Sequence, residues 1–319
     1  MNTVFLDVQT FSPSISLSPI EQAASKLTTY SLTNTQEQVI ERCANAEIII
    51  TNKVVIDADI IPNLKQLKLI CVAATGYNNI DVDCAKAHGI AVTNVAGYTG
   101  NSVAQYVFAQ ILEYYNQTSH HLANTAAGQW QKHHSFCLHG NGSNELAGQT
   151  IGIIGYGHLG QSVARIAHAF DMNVLIAERH NQPTIRDDRL PLEEVLRQSD
   201  IISLHCPLTP DTKHLINNKT LSLMKSSAML INTARGDIIN HNDLVNAIEQ
   251  QQIAYAVLDV LEQEPPSESH PVFNTTVSNL KLTGHIAWAT QQSQQRLIVG
   301  IADNITSFHQ GRPLNRIDQ

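Results

Sequence analysis

Thr150-Ile-Gly-Ile-Ile-Gly155-Tyr-Gly157-His158-Leu159-Gly160 decides the fold. An isoleucine-rich run with the character of a buried strand leads into three glycines in G-x-G-x-x-G spacing, where a helical pattern begins. Gly155 suits the tight turn, Gly157 lets a pyrophosphate approach the backbone, and Gly160 lets strand and helix pack closely. The free N–H groups at such a helix start, those of His158, Leu159 and Gly160, suit an anion. Glu178 closes the next strand pattern at about the 20-residue distance where an acid takes the hydroxyls of an adenosine ribose. Glycines in a turn are often only structural, and Glu178 read alone is a solvated strand-end charge. Their common register favours dinucleotide binding. The acid opposes a 2′-phosphate, so NAD is expected over NADP, with neighbouring Arg179 as the cation that softens the preference.

Working outward, six strand patterns follow in series at 150–154, 174–177, 201–204, 229–232, 254–258 and 280–283, the number in a complete doubly wound dinucleotide fold. Helical patterns at 161–170 and 242–250 lie between them. Upstream, short apolar runs at 4–6, 48–50, 69–72 and 91–93 alternate with helical patterns, which indicates a second parallel sheet. Ser18-Pro-Ile-Glu21 reads as a capping box that opens a helix running to about Leu27. Val103, Tyr106, Val107, Ile111 and Leu112 recur at helical spacing within 99–118, and the polar stretch 121–144 reads as a long connection. Leu297, Ile298, Ile301, Ile305 and Phe308 mark a helix over 291–310 that folds back onto the first lobe.

The chain has 319 residues, more than one ordinary domain, and its 43% hydrophobic and 15% charged residues are enough to bury sizeable cores. A net charge of -8 without a dense basic run argues against nucleic acid. Five scattered cysteines with no CxxC pair suggest neither a disulfide framework nor a metal centre and fit a reducing cytoplasm. No basic segment followed by an apolar one opens the chain, and no window approaches the roughly 20 apolar residues of a membrane helix, so secretion and membrane association are not expected.

In open parallel sheets ligands sit beyond the carboxyl ends of the strands. Arg235, Glu264 and His285 all follow such ends. Reduction of a 2-oxo acid by hydride needs a cation to hold the carboxylate and polarise the ketone, and a proton donor for the oxygen. Arginine supplies the first and histidine the second, while a glutamate bonded to the imidazole favours its protonated form. Taken singly, each has a plainer reading, since the chain carries 15 histidines and Glu264 also precedes the rigid Pro265-Pro266.

Asn232-Thr233-Ala234-Arg235-Gly-Asp237, Leu258-Asp259-Val-Leu-Glu-Gln-Glu264-Pro-Pro266 and His285-Ile-Ala-Trp288 resemble the arginine, glutamate and histidine motifs of the D-isomer-specific 2-hydroxyacid dehydrogenases. The resemblance spans nearly the whole chain. Leu69-Ile-Cys-Val-Ala-Ala-Thr-Gly76-Tyr77-Asn-Asn-Ile-Asp81 resembles the family's substrate loop, and Leu204-His-Cys-Pro207-Leu-Thr-Pro210 the segment beside the adenine. Trp130-Gln131, Phe136-Cys137, Ala177-Glu178-Arg179, His270-Pro271, Trp288 and the tail Pro313-Leu-Asn-Arg316 look most like the glycerate dehydrogenases, also called hydroxypyruvate reductases.

The resemblance implies a two-lobed α/β chain in which a doubly wound Rossmann cofactor domain, 100–286, is inserted in a smaller flavodoxin-like substrate domain, 1–99 plus 287–319. It makes Arg235 the residue that binds substrate and polarises the carbonyl, Glu264 its acidic partner and His285 the proton donor. Gly76 and Tyr77 hold the substrate carboxylate, Thr233 and Ala234 lie on the nicotinamide side, and Asp259 takes the carboxamide. NAD is the implied cofactor, hydroxypyruvate or glyoxylate the substrate, and a homodimer the assembly. One departure concerns positioning: the family commonly has proline before the histidine, and here Gly284 leaves φ less constrained. Other small 2-hydroxy acids, and a dinucleotide-sensing protein like the corepressors of the same fold, are the alternatives. An added interaction tail or a missing catalytic residue would mark the latter, and the chain shows neither.

Overall fold

The computed structural model describes every residue except Asn141, Pro183, Thr276, Pro313 and Gln319, so Pro313 of the tail motif lies outside the described residues. Its elements in chain order are β1 (Asn2–Phe5), α1 (Ser18–Ala23), β2 (Lys26–Thr29), α2 (Gln36–Cys43), β3 (Ile48–Thr51), β4 (Leu69–Val72), α3 (Val82–Ala87), β5 (Ala91–Thr93), α4 (Gly100–Asn116), α5 (Thr118–Ala126), β6 (Thr150–Ile154), α6 (His158–Ala169) and β7 (Asn173–Ala177). There follow α7 (Leu192–Gln198), β8 (Ile201–Leu204), α8 (Asn218–Leu221), β9 (Met229–Asn232), α9 (His241–Glu249), β10 (Tyr255–Leu258), α10 (Pro271–Asn274), β11 (Leu280–Leu282) and α11 (Gln291–His309). They divide into two compact units, Met1–Thr99 with Trp288–Gln319, and Gly100–Ala287. The second passage of the chain between them follows Ala287, one residue beyond the expected boundary. No helix among the described residues is long and apolar enough to cross a membrane.

The first unit holds a parallel sheet in the order β2-β1-β3-β4-β5. Ile48, Ile49 and Ile50 are all fully buried because both faces are covered, which is why β3 reads as a continuous apolar run. Ile49 and Ile70 pack with Val39 and Ala85 on one face. Ile48, Ile50 and Leu69 pack on the other with Ile20 and with Leu297, Ile298 and Ile301 of α11, so the terminal helix returns to this unit.

The expected helix over 18–27 is shorter than its sequence pattern. Leu17 occupies the N-cap position without a side-chain cap bond, Ser18 Oγ accepts Gln22 Nε2 at 3.1 Å, and α1 ends at Ala23. Lys26–Thr29 instead pair in parallel with Asn2–Phe5 as an edge strand. The β-branched Thr28 and Thr29 suit that pairing, which overrides the helical start signal. Thr118–Ala126 is a polar helix with no buried residue, overlapping the stretch read as a connection.

The second unit holds six parallel strands in the order β11-β10-β9-β8-β6-β7. Numbered from β6, that order is 2-1-3-4-5-6, whereas the doubly wound dinucleotide order is 3-2-1-4-5-6. Leu190, bridged in parallel to Ala177, holds the place of the third strand as a single residue, and β11 lengthens the opposite edge. The six strands read from the sequence are thus all present, and it is their order that departs from the doubly wound dinucleotide pattern. Val103, Val107 and Ile111 of α4 pack with Val163 and Ala167 of α6 over Ile151 and Ile153 on one face. Val195, Leu196, Leu244 and Ile248 cover Ile202, Leu204 and Leu230 on the other.

Candidate active site

Within the second unit β9, β10 and β11 are neighbours in register, with Asn232 opposite Leu258 and Leu258 opposite Leu282. Their carboxyl ends thus lie side by side, and Arg235, Glu264 and His285 leave one sheet edge. His285 Nδ1 lies 2.6 Å from Glu264 Oε2, and Glu264 Oε1 accepts Leu261 N at 3.0 Å. The imidazole is half-buried, and the bond at Nδ1 leaves Nε2 as its outward nitrogen. A Cβ on Gly236 would fall 1.9 Å from the Leu261 carbonyl carbon, so the turn carrying Arg235 presses on the loop carrying Glu264. Arg235 Nη1 donates to Ala234 O at 2.6 Å, and no carboxylate pairs with this guanidinium among the described residues.

His285 has φ 57°, the left-handed region that a β-carbon disfavours. Asp259, 1% exposed, holds it there. Asp259 O accepts His285 N at 2.8 Å, and the carboxylate accepts Thr283 Oγ1 at 2.6 Å, Ile286 N at 2.9 Å and Ala287 N at 2.8 Å. Burial pushes this carboxyl up, against those three bonds. Tyr106 OH, on α4, lies 2.6 Å from Thr283 Oγ1. A Cβ on Gly284 would meet nothing within 4 Å, so a side chain before His285 would meet no steric obstacle.

The glycine loop fits a dinucleotide. Gly155 has φ 94°, and a Cβ there would fall 2.4 Å from Cys206 N, so no other residue fits this turn. A Cβ on Gly157 would meet open space. The first internal bond of α6 runs from Gln161 N to Gly157 O, leaving the N–H groups of His158, Leu159 and Gly160 without a carbonyl acceptor among the described residues. Thr233 Oγ1, at the end of β9, is buried without a partner, an orphaned polar atom beside the expected nicotinamide position. Pro207 lies just past β8, its carbonyl accepting Thr212 Oγ1 at 2.7 Å. Glu178 stands at the end of β7 as expected, but its carboxylate is bonded by Arg179 N and by Arg186, a residue the sequence reading left out. Arg186 holds that carboxyl well below the usual range.

The loop with Gly76 and Tyr77 belongs to the first unit. Asn52 Nδ2 donates to Ala73 O at 2.8 Å, Val95 N to Ala74 O at 3.1 Å and Asn94 Nδ2 to Thr75 O at 2.7 Å. Three successive carbonyls are thereby tied back, and the N–H groups of Thr75, Gly76 and Tyr77 have no acceptor among the described residues. Such a run of free N–H groups suits a carboxylate.

A second group went unread in the sequence. His241 Nδ1 lies 2.5 Å from Glu262 Oε2 and His270 Nε2 2.9 Å from Glu262 Oε1, ligand types that could hold a metal ion. His270 Nδ1 accepts Val272 N at 3.3 Å, however, which assigns the proton to Nε2 and makes it a donor to Glu262. A cation would need that lone pair, so the group reads as a hydrogen-bonded bracket on the loop that carries Glu264. The three residues are far apart in sequence, and only α9, α10 and that loop bring them together.

Residues 108–287 match the family model described as the D-isomer specific 2-hydroxyacid dehydrogenase, NAD binding domain. The chain belongs to the D-isomer specific 2-hydroxyacid dehydrogenases. It is thus of a family of NAD-binding oxidoreductases. A putative 2-hydroxyacid dehydrogenase of Haemophilus influenzae is 39% identical over 312 residues, 97% of this chain and 98% of that one. The glycerate dehydrogenase of Methylorubrum extorquens is 40% identical over 289 residues, 91% of each. Among solved structures, an acyclic imino acid reductase in complex with NADPH and D-arginine is similar with a TM-score of 0.86 at 29% identity, covering 99% of this chain and 100% of that one. The two-unit α/β architecture described above is the fold of these dehydrogenases.

Proposed function

We propose that this family member reduces hydroxypyruvate, and more weakly glyoxylate, to the corresponding 2-hydroxy acid with NADH. The observation that carries the reading is the 2.6 Å bond between His285 Nδ1 and Glu264 Oε2 at the sheet edge that also bears Arg235, whose guanidinium has no carboxylate partner among the described residues. Bound NADH supplies the hydride that reaches the carbonyl carbon. Arg235 holds the substrate carboxylate and draws electron density onto the carbonyl oxygen. His285 gives a proton from Nε2 to that oxygen as the C=O bond becomes C–OH, so one hydride and one proton complete the alcohol and the imidazole is left neutral. Glu264 fixes the ring through Nδ1. Thr233, Ala234 and Asp259 face the nicotinamide, and Asp259 keeps about one of its four lone-pair sites for a carboxamide. Gly76 and Tyr77 offer their N–H groups to a carboxylate.

The reading extends to a homodimer in a reducing cytoplasm. Leu122, Trp130, Phe136 and Phe170 of the second unit are exposed apolar side chains of the kind that a second copy could cover. All five cysteines are free. The test is NADH oxidation against hydroxypyruvate, glyoxylate, pyruvate and 3-phosphohydroxypyruvate. Turnover is expected to be fastest on the first. Intact NADH binding with no turnover on any of them would favour the dinucleotide-sensing protein.

A further inference from the structure

The acid at the end of β7 is fully engaged. Glu178 is only 5% exposed. Its Oε1 accepts Arg179 N at 2.8 Å and the Arg186 Nη2, and its Oε2 accepts Arg186 N at 3.1 Å and Arg186 Nε at 2.8 Å. A carboxylate offers about four lone-pair sites, so none remains for a ribose diol while this fork is closed. The paired guanidinium also cancels, at contact distance, the charge expected to repel a 2′-phosphate. Arg186 is itself half exposed, so it is the solvent-facing member of the pair. Arg179 follows Glu178 directly and has no ion pair among the described residues. Asp188 is bonded to Arg189 at 3.2 Å. The three groups Glu178, Arg179 and Arg186 together carry a net positive charge.

We propose that Arg186 sets the nucleotide preference of this chain: it masks Glu178 and receives a 2′-phosphate, so that NADPH is accepted alongside NADH. An acid alone at this position would exclude the phosphate. A fork-shaped cation bonded to that acid offers the phosphate a ready partner. For NADH, the ribose hydroxyls gain Glu178 only as Arg186 swings away, which weakens the preference that the sequence suggests. The inference rests on the Gly155–Gly160 segment being the dinucleotide loop.

The experiment titrates the full-length protein calorimetrically with 2′,5′-ADP and with 5′-AMP, in wild type, Arg186→Ala and Arg186→Lys. Wild type is expected to bind 2′,5′-ADP at least as tightly as 5′-AMP. Arg186→Ala should weaken 2′,5′-ADP about tenfold and tighten 5′-AMP, with Arg186→Lys between because it keeps the charge and loses the fork. The ratio of kcat/KM with NADPH to that with NADH should fall in the same order. Thermal unfolding checks that the variants fold, and should Arg186→Ala fail, wild type and Arg186→Lys decide. Binding of 5′-AMP without 2′,5′-ADP in wild type, or an unchanged ratio in the variants, overturns the inference and leaves the dinucleotide loop standing. Binding of neither probe overturns both.

Discussion

Asp259 acts on His285 without touching its imidazole. Beyond Leu282 the chain is tied to β10 by Thr283 N, which donates to Leu258 O at 2.9 Å, and past that bond three donors of the segment Thr283 to Ala287 converge on this one carboxylate. Asparagine offers one acceptor oxygen and turns an amide toward those donors, and each buried donor left unpaired costs about 1–3 kcal/mol. Asp259→Asn is therefore expected to lower kcat about a hundredfold with a fall of a few degrees in the unfolding midpoint, whereas Gly284→Ala, with open space around it, should stay within about twofold of wild type. Steady-state kinetics and thermal melts of the two variants check this, and an active Asp259→Asn would show that the loop is held by something else. Arg235, Glu264 and His285 were legible in the sequence because each follows an apolar strand run by a few residues. The scaffold role of Asp259 was not, since it depends on a bond across 24 to 28 residues. Arg186 escaped for a related reason: its partner Glu178 lies 8 residues back along an irregular loop with no periodicity to read.

At the level of elements, the turn after β6 rests on the end of β8. His205 N donates to Ile154 O at 2.7 Å, and a Cβ on Gly155 would fall 2.5 Å from His205 C. His205 Nε2 lies 2.8 Å from Ser203 Oγ, while Nδ1 is buried without a partner. Burial pushes this imidazole down to about 4. The unfolded chain takes up the proton near pH 6.5, so the neutral, folded form gains stability that is complete above about pH 6.5 and is lost as pH falls toward 4. The loss is at most about 1.4 kcal/mol per pH unit in that window. Urea unfolding of wild type and His205→Asn at pH values through the window should give a steeper decline in wild type, and parallel profiles would remove His205 from the acid sensitivity. Elements with long periodic patterns, such as α4, α6 and α11, were legible to within a few residues. Those defined by pairing were not: β2 exists because it lies beside β1, and Leu190 because it lies beside Ala177.

Across the whole chain, the apolar cores keep to the two units. Val4, Ile49 and Ile70 share clusters only with residues of the first unit, and Ile151, Ile202 and Leu230 only with residues of the second. The helices that flank the two passages of the chain between the units, α4 and α11, were visible in the sequence because each must bury an apolar stripe. Two cores of this kind should give two calorimetric transitions, with NADH raising the one that belongs to Gly100–Ala287 by about 2.7 kcal/mol of stability at a hundred times its Kd. A single transition that moves as a whole would show the units melting together. The cysteines sort along the same division. Cys43, Cys71 and Cys206 are buried, and burial pushes their thiols to about 12, 12 and 11. Cys84 and Cys137 are the partly exposed pair, one in each unit. The native chain thus carries its own two attachment points for maleimide dyes, so that each unit can report on its own surroundings without a single engineered residue.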